Sequence, residues 1–156
     1  MKKILLTLAF ALACCWASAV TADDIFNKFK DLDNAKFMNL PQELLQMAAA
    51  QGSSENAEKN EVMKKITSLD LLQIEKADEA TIKQVTDMVN DFDETYEELV
   101  RANENGEQAI IKMKRDGDKF TEMIIVAIEA GECAVVRMSG NFSSEDLEQL
   151  SKMNNM

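Results

Sequence analysis

The sequence predicts an α+β domain, a mainly antiparallel sheet ending in a four-strand meander and packed with amphipathic helices. Three observations predict it. The dipeptides Asn105-Gly106, Asp116-Gly117 and Ala130-Gly131 punctuate the C-terminal half at hairpin spacing. The runs between them are rich in residues that favour a pleated surface. Ahead of them, Ile82, Val85, Met88, Val89 and Phe92 recur at helical spacing. The chain has 156 residues and is 46% hydrophobic, enough for one core and short for two domains.

Residues 1–22 read as a secretory signal peptide. Lys2 and Lys3 form a basic start, Ile4 to Ala13 is an uncharged apolar stretch, and small residues follow at Ala17-Ser18-Ala19 and Val20-Thr21-Ala22. Cleavage is expected after Ala22 or Ala19. The apolar run is shorter than the roughly 20 residues a membrane-spanning helix needs. Ala11-Leu12-Ala13-Cys14 resembles a lipobox with Ala11 where leucine is usual, which makes Cys14 a candidate for acylation. Membrane contact is expected only through that lipid. Residues 23–156 are then one α+β domain.

Within it, Ile25, Phe26, Phe29 and Leu32 fit one face of a short helix. Phe37 to Leu40 suggests a short strand. Pro41 suits the start of a helix bearing Leu44, Leu45, Met47 and Ala48, which Gly52 ends. Gln51 to Glu61 is nearly devoid of apolar residues and reads as a surface loop. Ser68 to Ile74 is a second strand, and Asp78 caps the helix that follows. The meander comprises Tyr96–Ala102, Gln108–Lys114, Lys119–Glu129 and Glu132–Ser139. Ser143, with Asp146 three residues on, starts a last helix carrying Leu147, Leu150 and Met153.

Two-residue turns at Asp116-Gly117 and Ala130-Gly131 would set Met113 opposite Phe120, Ile111 opposite Glu122, Val126 opposite Val135 and Ile124 opposite Arg137. One face then holds Met113, Phe120, Ile111, Ile124, Val126, Ile128, Cys133 and Val135. The other holds Ile110, Met123, Ile125, Val136 and Met138, with Ala127 and Ala134. Both faces are apolar, so the sheet wants cover on both sides. The second face is covered by helices or a loop, or is left open for a partner, and Ile110, Met123, Ile125, Val136 and Met138 are its candidate partner residues. Glu122 and Arg137 are diagonal neighbours that would pair. Glu129 facing Glu132 is unfavourable and points to a looser turn at Gly131. Met123 to Ile128 is uncharged and strongly β-prone, and belongs in the middle of the sheet.

Composition narrows the chemistry. With no histidine, the commonest general base and metal ligand is missing. Asp and Glu number 28 against 17 Lys and Arg, a formal charge of −11, which argues against a nucleic-acid partner. Loss of Lys2 and Lys3 with the leader makes the charge more negative still. Cys133 is then the one cysteine left and reads as a buried thiol. Asp31 to Asn34 and Asn90 to Glu94 offer oxygen ligands but lack the glycine and closing glutamate of an EF-hand loop. Thioethers suit Cu(I), yet the assumed register separates Met113 from Met123 and Met138, so these read as core. No glycine-rich phosphate loop occurs, no catalytic pair is nominated, and neither cofactor nor metal is expected.

Tyr96-Glu97-Glu98-Leu99-Val100, Gly106-Glu107, the stretch from Asp116 to Ile124 and Gly140-Asn141-Phe142 together resemble the bacterial envelope family catalogued as domain of unknown function 4252. The resemblance is clear from Leu69 onward. It implies a small exported α+β domain of Gram-negative bacteria, periplasmic or outer-membrane-associated, in some cases a lipoprotein, with no established catalytic residues. The functional expectation is a non-enzymatic module that binds another envelope protein or a second copy of itself. The alternatives are a hydrolase-type enzyme using Asp, Glu or Lys, and a lipid-tethered structural protein.

Overall fold

The computed structural model describes residues 19–51 and 57–153. The leader through residue 18, with Cys14, lies outside them. The described chain runs α1 (Ala22–Phe29), β1 (Ala35–Pro41), α2 (Gln42–Gln51), α3 (Ala57–Lys64), β2 (Ile66–Ile74), α4 (Glu79–Asn90), β3 (Tyr96–Glu104), β4 (Glu107–Asp116), β5 (Lys119–Glu129), β6 (Glu132–Phe142) and α5 (Ser144–Met153). All six strands form one antiparallel sheet in the order β1-β2-β6-β5-β4-β3. The expected meander makes up four of these six strands, β3 to β6. Helix α4 carries the chain from β2 across to the far edge, and β6 returns to pair with β2.

Local chemistry explains most element ends. The Asp78 carboxylate accepts the Thr81 N–H at 2.7 Å and caps α4. Ser143 donates its N–H to Asp146 at 2.7 Å and its hydroxyl at 2.9 Å, and its oxygen accepts the Asp146 N–H at 3.3 Å. That is a reciprocal capping box. Asn105 and Gly106, with φ of 53° and 86°, make the type I′ geometry expected between β3 and β4. Ala130 and Gly131, with φ of 49° and 82°, do the same between β5 and β6. This turn is tight, not loose. Glu129 and Glu132 face each other across it, and both are exposed, so water screens their repulsion.

The polar stretch expected as a loop is partly helix. Its end forms α3, whose Val62 is 1% exposed. Val62 follows directly on the polar run, so the run itself carries little periodic signal.

Two cores flank the sheet. On the first face, α1 and α4 bury Ile25, Phe26, Phe29, Val85 and Val89 against Leu72, Ile74, Ile110, Ile124, Val126, Ile128, Cys133 and Val135. On the second face, Leu45 of α2, Val62 of α3 and Leu147 of α5 pack with Ile66, Met113, Phe120 and Phe142. This second core caps only one end of its face.

The β4–β5 turn has two residues but lies one position later than expected, at Gly117-Asp118. Asp116 pairs with Lys119 and Arg115 with Phe120, but beyond a bulge Lys114 pairs with Glu122 and Met113 with Met123. Thr121 is the extra residue. It turns Phe120 onto the second face beside Phe142 and exchanges the two faces of β4 relative to β5.

Candidate functional site

The exchanged register defines what the second face presents. Its central row runs Met38, Leu71, Val136, Ile125, Ile111 and Val100 across all six strands. The row beside it runs Lys36, Gln73, Ala134, Ala127, Ala109 and Ala102. A third runs Leu40, Leu69, Met138, Met123 and Met113 and passes beneath the α2, α3 and α5 cap. Leu71, Val136, Ile125 and Ile111 are half-buried, while Met38 and Val100 are 53% and 41% exposed. The result is a continuous apolar band. A row of four alanines lies beside a raised row of branched side chains.

Acidic residues border the band. Glu104 and Glu107 flank the β3–β4 turn, Glu129 and Glu132 flank the β5–β6 turn, and all four are exposed. A depression of about 270 Å³ joins the two regions, lined by Ala102, Ala109 and Ala127 together with Glu104, Glu107 and Glu129. The small alanine side chains leave the space that makes it.

Of the five residues expected on an open face, Ile125 and Val136 lie in the band. Met123 and Met138 share the face but sit in the row under the helical cap. Ile110 is on the opposite face, 2% exposed beneath the first core. The Thr121 bulge is the reason, because it puts Ile111 in the place the simpler register gave Ile110. It also reunites Met113 with Met123 and Met138 in one cross-strand row, contrary to the expected separation. Met113 is fully buried, and all three pack with Leu45, Val62, Phe120 and Phe142, as core methionines do.

Charge is concentrated on the first face. Asp70 is 3% exposed and interrupts the apolar run of β2. Its carboxylate accepts Nε of Arg137 at 2.8 Å and lies 2.6 Å from a second guanidinium nitrogen. Asn39 donates to it as well. Arg137 reaches Asp23 of α1 and stacks over Phe26, its Cζ 4.9 Å from the ring centroid. This network replaces the expected Glu122–Arg137 pair. Glu122 instead accepts the Tyr96 hydroxyl, whose pKa burial and then Glu122 raise.

Lys112 is 8% exposed, and burial pushes its pKa below the ordinary lysine value. Its ammonium lies 5.9 Å from the centroid of Phe92, just beyond the end of α4. Arg101 donates to Asn90 Oδ1 at 2.7 Å, at that same end. The last turn of α4 has no basic residue of its own, so strands β3 and β4 bring cations to its negative terminus. Sequence reasoning missed both buried charges. The signal available was a single charge inside an apolar strand run, at Asp70 in β2 and at Lys112 in β4.

A second depression, about 440 Å³, lies between α4 and the β3–β4 turn. Lys83 there donates to Asp87 at 2.5 Å, and the Thr86 hydroxyl donates to the Ile82 carbonyl at 2.9 Å. These polar groups are engaged with one another. Burial drives the Cys133 thiol up to about 11, so it stays protonated and unreactive at neutral pH. Among the described residues, no group of three or more Cys, Asp or Glu side chains converges to hold a metal ion. No described helix is long and apolar enough to cross a membrane.

The family model for the domain of unknown function DUF4252 matches residues 29–150. The chain belongs to that family. Among curated proteins, none matches it. The DUF4252 match begins at the last residue of α1 and ends within α5, so it spans the whole sheet and leaves out most of α1.

Proposed function

We propose that this DUF4252 domain is an exported, non-enzymatic binding module of the cell envelope, and that the band on the second sheet face is its docking surface. The observation that carries the reading is the contrast between the faces. The first is sealed by α1 and α4, whereas the second is capped at one end and leaves Ile111, Ile125, Val136 and Leu71 half-buried beside exposed Met38 and Val100. Monomers rarely leave so continuous an apolar patch without use.

The partner's chemistry follows from the band. Six strands at roughly 4.8 Å spacing span about 24 Å, the length of a helix of roughly 16 residues. The alanine row gives such a helix a shallow bed. Glu104, Glu107, Glu129 and Glu132 along the border favour a basic flank. The occupant is therefore an amphipathic, basic-flanked segment of another envelope protein. Export rests on the leader, with its basic start, apolar stretch and small residues.

Ile125→Glu tests this, because it puts a charge in the centre of the band without entering either core. With protein recovered from the envelope of the cell that makes it, the wild type retains a partner at stoichiometric level and Ile125→Glu loses it, while both melt within about 2 °C of each other. Equal retention by the two proteins would refute the docking surface. A second copy of the chain, seen as a dimer in size exclusion, would replace the foreign partner.

A further inference from the structure

The leader offers two cleavage positions, and the fold distinguishes them. Ala19 is exposed, and the body of the protein begins one residue later. Val20 pairs in parallel with Phe92 and packs partly buried against the first core. Thr21 has the extended conformation of a helix N-cap, with φ of −115° and ψ of 166°. Its backbone N–H and hydroxyl donate to the Asp24 carboxylate at 2.8 and 2.9 Å. Ala22, the first residue of α1, is 2% exposed among the core side chains.

Cleavage after Ala22 would remove all of this. It would delete the N-cap, the Val20–Phe92 pairing and a buried methyl. It would also place a new ammonium on Asp23, in the first turn of α1, where the helix terminus is already positive. Cleavage after Ala19 keeps the N-cap, the Val20–Phe92 pairing and the buried Ala22 methyl. It leaves the new ammonium on Val20, outside the helix, and keeps small residues, Ala17 and Ala19, at the positions a signal peptidase reads.

We infer that the processing site is the Ala19–Val20 bond, and that Val20 is the N-terminus of the mature protein. The inference rests on the reading of the leader as an export signal. Hydrolysis of that one peptide bond releases residues 1–19 with a free carboxylate on Ala19 and a free amine on Val20.

The test is the N-terminal sequence and intact mass of the exported chain, from wild type and from Ala17→Arg. That substitution blocks recognition of the Ala19 site and leaves Val20-Thr21-Ala22 intact. The expected result is a single Val20 N-terminus in the wild type and accumulation of precursor in Ala17→Arg. An Asp23 N-terminus, with Ala17→Arg processed normally, would overturn the inference while leaving export standing. So would an acylated Cys14 at the N-terminus. Unprocessed wild-type chain retained in the cytosol would overturn both.

Discussion

Arg137 joins three elements through one guanidinium, reaching Asp70 on β2 and Asp23 on α1 from its own place on β6. With Asp70 only 3% exposed, removing the cation strands a carboxylate in the core. Arg137→Ala should destabilise the domain by about 3–5 kcal/mol. The double variant Asp70→Leu/Arg137→Met removes both charges at similar volume and should recover most of that loss. Urea denaturation of the single and double variants checks it. A double variant as weak as the single one would show that the Phe26 stacking, rather than the buried charge, is what matters. Gly140 shows a tighter constraint. A Cβ there would lie 2.5 Å from the Lys65 carbonyl oxygen and 2.6 Å from the Phe142 ring, so β6 passes the residue joining α3 to β2 at a distance only glycine allows.

Helix α5 illustrates how an element is held by few groups. Burial acts to raise the Asp146 carboxyl, but the Lys65 ammonium at 2.6 Å and the Ser143 N–H and hydroxyl outweigh it. The net effect holds Asp146 below its ordinary value of 3.8. A carboxyl depressed in the folded state stabilises it above the unfolded pKa, and that stabilisation is lost as the pH falls through the folded pKa. Asp146→Asn should therefore melt lower than the wild type at pH 7, by about 1–2 kcal/mol, with the gap closing under acid as the wild-type carboxyl protonates. Thermal melts from pH 7 down to pH 2 check it. A gap that stays constant across that range would mean that Asp146 acts through shape rather than charge.

The elements also show what was legible in the chain. Although the facing glutamates argued for a looser turn at Gly131 than the tight one that forms, caps and a tight turn were readable at Asp78, Ser143 and Asn105-Gly106, because each is fixed by chemistry within a few residues. The β2–β6 pairing was not, since it joins segments separated by α4 and three strands. The bulge at Thr121 was equally silent. Threonine suits regular strand as well as bulge, yet this one extra residue decides that Ile111 rather than Ile110 joins the half-covered second face. Ala17-Ser18-Ala19 and Val20-Thr21-Ala22 are alike as small-residue triplets, and what distinguishes the second is the burial of Ala22 in the first core.

At the scale of the whole molecule the account rests on asymmetry. One side of the sheet is sealed, and the other is half covered, apolar and bordered by glutamates. The family match covers every strand of the sheet, so the band lies entirely within the matched residues. The edges are less suited to partners. β3 carries Glu97, Glu98, Arg101 and Glu104 and is bulged at Leu99, and β1 ends in Pro41, features that discourage strand addition. A partner is therefore expected to lie across the face rather than extend the sheet.

The most direct measurement places a photoreactive side chain at Ile125 in the band, and at Lys83 on α4 as a control, in protein exported by its own cell. Irradiation should yield one discrete adduct from Ile125 and none from Lys83, and the adduct should carry a basic amphipathic segment of another envelope protein. No adduct at Ile125, or the same adducts from both positions, would contradict a docking face on the half-covered side.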